Sequence, residues 1–236
     1  MAAPVGVIGG LGPLATVYFL DKVVRLTRAD RDQDHVDLVV MQHATIPDRT
    51  AFILGESDED PGPPMAADAR SLERLGVSFV VVPCNTAHHF MAEVEAAVTV
   101  PVLSIVEETV AEAAARTPGG VVGVLATSGT LAAGEYQRAA AAHGLGAIAP
   151  DDDDQAVVMR VIYEQVKAGR PVDLAALAGV VDRLVERGAT VVVMGCTELS
   201  VVAEDADLLA DPLYVDSLDV LARRTIERAG REVAAR

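Results

Sequence analysis

The chain has 236 residues, of which 51% are hydrophobic and 3% aromatic, with no Trp, so Val, Ala and Leu must build its core. That length suffices for one large domain or two small ones. Its 35 acidic and 19 basic residues give a net charge of −16, which argues against a nucleic-acid-binding face and against docking on an anionic membrane. No apolar run approaches the roughly 20 residues of a membrane span, and the first residues lack the charged segment of a signal peptide.

Short Val/Ile/Leu runs alternate with longer Ala-rich stretches of helical period, which is typical of α/β folds with a mainly parallel sheet. Strands are predicted at 5–8, 36–41, 79–82, 102–105, 121–125 and 191–194. Helices are predicted at 14–27, 65–75, 86–97, 104–116, 131–143, 155–167, 174–187 and 217–228. Segments 56–64 and 151–154 are predicted to be surface loops, the second a solvated acidic run rather than a metal site.

The sequence repeats itself. RLGVSFVVVPC at 74–84 aligns with ERGATVVVMGC at 186–196, and VGVIGGLG at 5–12 resembles VGVLATSG at 122–129. Two pseudo-symmetric α/β lobes of about 110 residues are therefore predicted, each with a mainly parallel sheet flanked by helices. We expect residues 1–100 with 212–236 to form the first lobe and 101–211 the second. Because ligands of open α/β sheets bind at the carboxyl ends of the strands, we expect the active site in the cleft between the lobes.

The two cysteines, Cys84 and Cys196, close the repeated strands at equivalent positions. Two thiols without metal-ligand or Cys-x-x-Cys spacing indicate neither a disulfide framework nor a redox pair, and they suit a reducing cytoplasm. A thiol at the start of a helix gains thiolate character from the helix dipole and can act as a base, although a single Cys is often only a small buried apolar residue. Two opposed thiols suit inversion of a carbon centre, because one can remove a proton while the other returns one to the opposite face.

Five segments, in order, carry a resemblance to a known family: GGLGPLAT at 9–16, IPDRT at 46–50, PCNTAH at 83–88, YEQVK at 163–167 and GCTE at 195–198. Together they resemble the cofactor-independent aspartate/glutamate racemases, and most closely the aspartate racemase branch. The resemblance extends from residue 5 to about residue 229. It implies a cytoplasmic amino-acid racemase, commonly a homodimer, that uses neither pyridoxal phosphate nor a metal.

The resemblance also implies roles for individual residues. Cys84 and Cys196 would flank Cα of the substrate, while Arg49 and Lys167 would neutralise its carboxylates, which favours aspartate over glutamate. Hydrogen bonds to the α-carboxylate and the intermediate would come from Asn85, Thr86 and Thr197. Further carboxylate contacts are expected from the 126–130 loop through Thr127, Ser128 and Thr130, and from the backbone of Gly10 and Leu11.

Considered without the family, several of these residues have a second interpretation. Arg49 could bridge the neighbouring Asp48, and Lys167 could cap the end of a helix. His88, four residues after Cys84, could tune that thiol or be a half-buried helix histidine. Gly10, Gly12 and Ala15 also fit a dinucleotide fingerprint, but the acid expected at the end of the second strand is absent, since that strand leads into Gln42 and His43.

Two classes of alternative function stay open. The same two-cysteine scaffold resembles hydantoin racemases, maleate cis–trans isomerases and arylmalonate decarboxylases, in which the thiols serve other steps. A non-catalytic module that binds an acidic metabolite would differ from all of these, because it needs no thiolate at neutral pH.

Overall fold

Two four-stranded parallel sheets organise the chain in this computed structural model, which describes residues 3–234. One unit comprises the residues up to Ile105 together with those from Leu218 onward, and the other is Val106–Ser217. Because the strands of each sheet are parallel, their carboxyl ends meet at one edge and the loops that follow them lie there together.

The first unit has strand order β2-β1-β3-β4. The fully buried strand β1 pairs with β2 and β3, and β3 pairs with β4. The strands are β1 (Val5–Gly9), β2 (Leu38–Gln42), β3 (Val80–Val81) and β4 (Val102–Leu103). The helices are α1 (Pro13–Leu26), α2 (Arg49–Ile53), α3 (Gly62–Arg74), α4 (Met91–Ala96) and α11 (Ser217–Arg228), which belongs to this unit from Leu218 onward. Helix α5 (Ile105–Arg116) begins at the last residue of this segment and otherwise belongs to the second unit.

The second unit repeats this arrangement with strand order β6-β5-β7-β8. The strands are β5 (Val121–Leu125), β6 (Gly146–Ile148), β7 (Val191–Met194) and β8 (Tyr214–Asp216). The helices are α6 (Ser128–Ala133), α7 (Glu135–Ala142), α8 (Asp152–Arg160), α9 (Leu174–Glu186) and α10 (Thr197–Asp205). Strands β3 and β7 occupy equivalent places in the two orders, and each leads into a cysteine. The predicted fold class, two α/β lobes with parallel sheets flanked by helices, is confirmed.

Several elements differ from the sequence prediction. The helix predicted at 86–97 divides into a 3-10 segment, Thr86–Phe90, followed by α4, and the helix predicted at 155–167 continues beyond α8 as a π-helix, Val161–Val166. Strands β6 and β8 have three residues each, too few to show a pattern of alternation. Helices α2 and α10 were not predicted, because α2 has only five residues and α10 begins after a cysteine rather than a typical capping residue.

The acidic run at 151–154 is not the solvated loop that its composition predicts. Asp151 caps α8 by accepting the backbone N–H of Asp154 at 3.0 Å, and the helix begins at Asp152. The side chain of Asp154 is buried and accepts two hydrogen bonds from Arg183 of α9, one of them at 2.7 Å. A charged pair between α8 and α9 therefore fixes the helix that leads to the π-helical segment.

A glycine is required where the loop after β1 approaches the end of β2. Gly10 has φ of +92°, and a Cβ there would lie 2.5 Å from the backbone carbon of His43. Its N–H donates to the Thr16 hydroxyl of α1 at 2.9 Å. The loop is thus held between β2 and α1 at a distance that no side chain permits.

The Asp154–Arg183 pair generates a prediction about pH. Hydrogen bonds from Arg183 lower the pKa of Asp154, so the pair stabilises the native state above the ordinary carboxyl pKa of about 4 and ceases to do so as the pH falls through the lowered value. We expect Asp154→Asn to lower the melting temperature at pH 7 by about 2–4 °C. Differential scanning calorimetry should show that the difference in melting temperature between Asp154→Asn and the wild type becomes smaller below about pH 4. Replacement of the exposed neighbour, Asp153→Asn, is the control and should neither lower the melting temperature in this way nor change its dependence on pH.

The glycine loop generates a second prediction, for which the chain offers a matched control. Gly188 also has positive φ, +99°, but a Cβ there would meet nothing within 4 Å. Gly188→Ala introduces backbone strain alone, whereas Gly10→Ala adds a steric clash with the His43 backbone. Denaturant unfolding should show that Gly10→Ala lowers the free energy of unfolding by about 1–3 kcal/mol more than Gly188→Ala does. An equal decrease in the two variants would contradict the close approach of the Gly10 loop to the His43 backbone.

Candidate active site

Cys84 lies at the carboxyl edge of the first sheet. It is separated from β3 by two residues, and its backbone N–H donates to the carbonyl of Val82 at 2.8 Å. The residue is 5% exposed, and Asn85 and Thr86, which follow it into the 3-10 segment, are also buried. The sequence-predicted trio of one thiol, one amide and one hydroxyl is therefore placed where parallel sheets bind ligands.

His88 fixes the turn that carries Cys84. Its Nδ1 lies 2.9 Å from the Cys84 carbonyl oxygen, and its Nε2 accepts the backbone N–H of Ile105, the first residue of α5, at 3.1 Å. Burial lowers the pKa of His88 to about 4, so the ring is neutral and Nδ1–H is the donor to Cys84. Both ring nitrogens bind backbone groups. Neither interpretation from sequence fits, since the histidine is fully buried and acts on the backbone rather than on the thiol.

Arg49 begins α2, in the loop region after β2. Its Nη1 donates to the carbonyl oxygens of Ile46 at 3.2 Å and Pro47 at 2.8 Å, while its buried Nε has no hydrogen-bond partner. Asp48 instead caps α2 by accepting the backbone N–H of Ala51 at 2.9 Å. The bridge to Asp48 is therefore absent, and the guanidinium is oriented by backbone groups, which leaves its charge uncompensated.

Sequence reasoning missed a histidine–carboxylate pair beside this loop. His43, directly after β2, places Nδ1 2.9 Å from the Asp68 carboxylate of α3. The Asp68 side chain is buried, and that of His43 is 39% exposed. The sequence of α3 contains a signal for this pair, because Asp68 shares a helical face with the buried residues Met65 and Leu72. A carboxylate on such a face is buried and therefore requires a partner.

Cys196 lies at the equivalent edge of the second sheet, as the residue preceding α10. It is 5% exposed, and its thiol donates to Glu198 Oε2 at 3.0 Å. The hydroxyl of Thr197 donates to the same oxygen at 3.3 Å. Burial and the Glu198 charge raise the pKa of Cys196 well above its ordinary value. The expectation that the helix dipole makes this thiol a thiolate is therefore wrong for Cys196, because desolvation and a neighbouring carboxylate outweigh the dipole.

Lys167 reaches this cluster from the end of the π-helix. Its backbone N–H bonds to the carbonyl of Ile162, five residues back, at 3.0 Å. Its Nζ lies 4.0 Å from the centroid of the Tyr163 ring and 3.9 Å from Glu198 Oε1. Lys167 thus does more than cap a helix, since the π-helical turn directs its ammonium toward the carboxylate that holds the Cys196 thiol.

The 126–130 loop after β5 is internally bonded. The Thr127 hydroxyl caps α6 by accepting the N–H of Thr130 at 3.1 Å, and the two threonine hydroxyls are 3.0 Å apart. Ser128 accepts a hydrogen bond from Gln155 of α8 at 3.2 Å, and its N–H lies 3.3 Å from the Met159 sulfur. The structure accounts for these groups without a ligand, and a role for the loop in carboxylate binding stays a prediction.

Tyr136 supports the backbone before Cys196. The residue is fully buried, and a Cβ on Gly195 would lie 3.1 Å from its ring. Its hydroxyl is hydrogen-bonded to Thr109 and Ser217, and burial raises its pKa. The un-ionised Tyr136 ring therefore packs closely against the backbone at Gly195, where a side chain would be crowded. Sequence analysis did not predict this role.

The structure brings the predicted residues together in two sets, one in each unit. At the edge of the first sheet lie the loops that carry Gly10, Leu11, Arg49, Cys84, Asn85 and Thr86. At the edge of the second lie Thr127, Ser128, Thr130, Cys196 and Thr197, and Lys167 contacts the start of α10. The side chain of Leu11 is buried in the same apolar cluster as Cys84, so its predicted carboxylate contact would have to come from its backbone. Within 3–234, no three His, Cys, Asp or Glu side chains are grouped to hold a metal ion, and no helix is long and apolar enough to cross a membrane.

Comparison with known proteins gives the same family over most of the chain. The family model described as Asp/Glu/Hydantoin racemase matches residues 8–225. The broad specificity amino-acid racemase RacX of Bacillus subtilis is 30% identical over 227 residues, covering 94% of this chain and 96% of that protein. A glutamate racemase of Deinococcus radiodurans is 34% identical over 240 residues, covering 95% and 74%.

A solved structure supports both the family and the fold. The aspartate racemase of Picrophilus torridus superposes with a TM-score of 0.81 at 27% identity and covers 98% of this chain and 96% of its own. The predicted family is confirmed: this chain belongs to the Asp/Glu/hydantoin racemases.

Proposed function

We propose that this racemase interconverts the L- and D-enantiomers of a dicarboxylic amino acid, aspartate in preference to glutamate, by proton transfer between Cα and the thiols of Cys84 and Cys196. One observation carries the proposal. Each thiol is buried at the carboxyl edge of a parallel sheet, and each follows the equivalent strand of two identical strand orders. A pair of equivalent acid–base groups is what inversion at a single carbon requires.

The mechanism needs one thiolate and one thiol at the start of each turnover. The thiolate removes the Cα proton, and the thiol delivers its own proton to the opposite face, so the configuration inverts and the two cysteines exchange protonation states. Hydrogen bonds from Asn85, Thr86 and Thr197 would stabilise the negative charge that develops on the substrate carboxylate. All protons come from the amino acid and the two thiols, so the step calls on neither pyridoxal phosphate nor a metal.

Arg49 and Lys167 support a substrate with two carboxylates. The Arg49 guanidinium is oriented by carbonyl oxygens that leave its charge uncompensated, and the side chain of Lys167 is 31% exposed beside the Cys196 cluster. Local cations of this kind allow a protein of net charge −16 to bind a dianion. The similarity to an aspartate racemase and a glutamate racemase supports the substrate class, and the similarity to a broad specificity racemase makes a wider range of amino acids the second candidate.

The two-thiol mechanism predicts the behaviour of single variants. With L-aspartate in D2O and no added cofactor, proton NMR should show loss of the Cα–H signal, and chiral analysis should show D-aspartate. Cys84→Ser and Cys196→Ser should each slow racemisation about 10²–10⁴-fold, because loss of either acid–base group interrupts the transfer. A single variant that retains nearly the full rate would refute the mechanism, and activity on glutamate alone would refute the preference.

The proposed carboxylate contacts predict a defect in substrate binding. Arg49→Met and Lys167→Met should each raise KM for aspartate about 10–100-fold, since a charged hydrogen bond contributes about 1.5–3 kcal/mol. The control is Arg28→Met, which removes an equal charge from an exposed pair with Glu232. Steady-state kinetics should show no change for the control. Equal effects in all three variants would indicate a general effect of charge instead of specific contacts.

A further inference from the structure

One carboxylate joins two chemically active side chains of the second unit, the thiol of Cys196 and the ammonium of Lys167. Glu198 lies two residues after Cys196, in the first turn of α10, and is itself buried. Its Oε2 accepts the thiol proton of Cys196 at 3.0 Å, and its Oε1 lies 3.9 Å from Lys167 Nζ. The carboxylate therefore has a different partner on each oxygen, a thiol on one side and an ammonium on the other.

The charged and titratable groups around Cys196 act in opposite directions. Glu198, on the same helix, and burial favour the protonated thiol, whereas Lys167, at the end of the π-helix, favours the thiolate. Tyr136 of α7 is un-ionised in its buried position, where the negative charge of Asp216 of β8 also disfavours its ionisation. The balance favours a proton on sulfur, because burial and the Glu198 carboxylate, which contacts the thiol at 3.0 Å, outweigh the opposing effect of the ammonium.

We propose that Glu198 is a positioning residue that keeps the proton on Cys196 Sγ and so makes Cys196 the proton donor of the ligand-free enzyme. This inference rests on the proposed function and extends it. Cys84 then takes the Cα proton in the first turnover, and Cys196 gives its own proton to the other face. The product leaves behind a Cys196 thiolate beside Glu198, and solvent must return a proton to Cys196 while Cys84 loses one.

This asymmetry, the unequal protonation of Cys84 and Cys196 in the ligand-free enzyme, has a defined kinetic consequence. Two enantiomers have equal free energies, so kcat/KM must be the same in both directions. A resting state that favours one proton distribution must therefore appear as different kcat and KM values for the two enantiomers, with their ratio conserved. Lys167 limits the asymmetry, because its ammonium offsets the repulsion between Glu198 and the Cys196 thiolate after proton donation.

The first test measures the thiol directly. In a Cys84→Ser background Cys196 is the only cysteine of the chain, and its ionisation can be followed by the ultraviolet absorbance of the thiolate as the pH is raised. Glu198→Gln preserves size and hydrogen bonding but removes the charge, so at a fixed pH near 8 the thiolate fraction should rise about tenfold. Asp205→Asn removes the same charge from the exposed far end of α10 and should leave the titration unchanged. An unchanged titration in Glu198→Gln overturns the proposal.

The second test uses racemisation by the otherwise wild-type enzyme. A proton donor must be protonated, so activity falls as the pH rises through its pKa, and Glu198→Gln should move this alkaline limb of the kcat/KM profile to lower pH by about one unit. Glu198→Asp, which retains the charge, should leave the limb at high pH. A uniform loss of activity in both variants with no movement of the limb would show a merely structural role and would overturn the proposal. Absence of racemisation in the wild type would refute the proposed function, while the thiol titration would still decide the role of Glu198.

Discussion

The parallel pairing of β1 with β3, and of β5 with β7, is the constraint on which the placement of the candidate residues in each unit depends. Parallel strands place all their carboxyl ends at one edge, so a cysteine that follows a strand is delivered to the same edge as the loops from its neighbours. The buried valines of these strands make that position inflexible, since a shift of one residue would reverse which side chains face the helices on either side. The packing of the buried strands thus determines which side chains lie at the carboxyl edge of each sheet.

The identity of most strands and the equivalence of the two cysteines follow from local patterns, which is why the sequence alone could predict them, whereas the strand order depends on pairing between distant segments. Runs such as Val191–Met194 need no tertiary information, and the repeated Cys at the end of each run identifies the edge. Family motifs added Arg49 and Lys167, which composition would have left as surface cations. Strand β8 and helix α10 escaped prediction because their formation depends on partners elsewhere, β7 for the one and the π-helical segment for the other.

The electrostatics of the site could not be predicted in the same way. The charge state of Cys196 depends on the direction of the Glu198 side chain and on the degree of burial, and neither is encoded by spacing. Helix position alone favoured a thiolate, whereas the structure favours a thiol. The same limit applies to Asp154, which its composition predicts to be in solvent but which is a buried partner of Arg183, 29 residues away. The pair between Asp68 and His43 also joins residues that are 25 positions apart. Long-range pairing is a property of the fold.

The π-helix between α8 and Lys167 has a consequence for how this region can evolve. Each π-type turn takes one more residue than an α-turn, so the direction of Lys167 depends on how many residues precede it as well as on which residues they are. Substitutions within Val161–Val166 that preserve apolar packing leave that direction unchanged. Loss of a single residue would convert the segment to α-helical geometry and remove the expanded turn that precedes Lys167. The length of this segment and its hydrogen bonding are therefore coupled, whereas its apolar side chains can be replaced without a change in geometry.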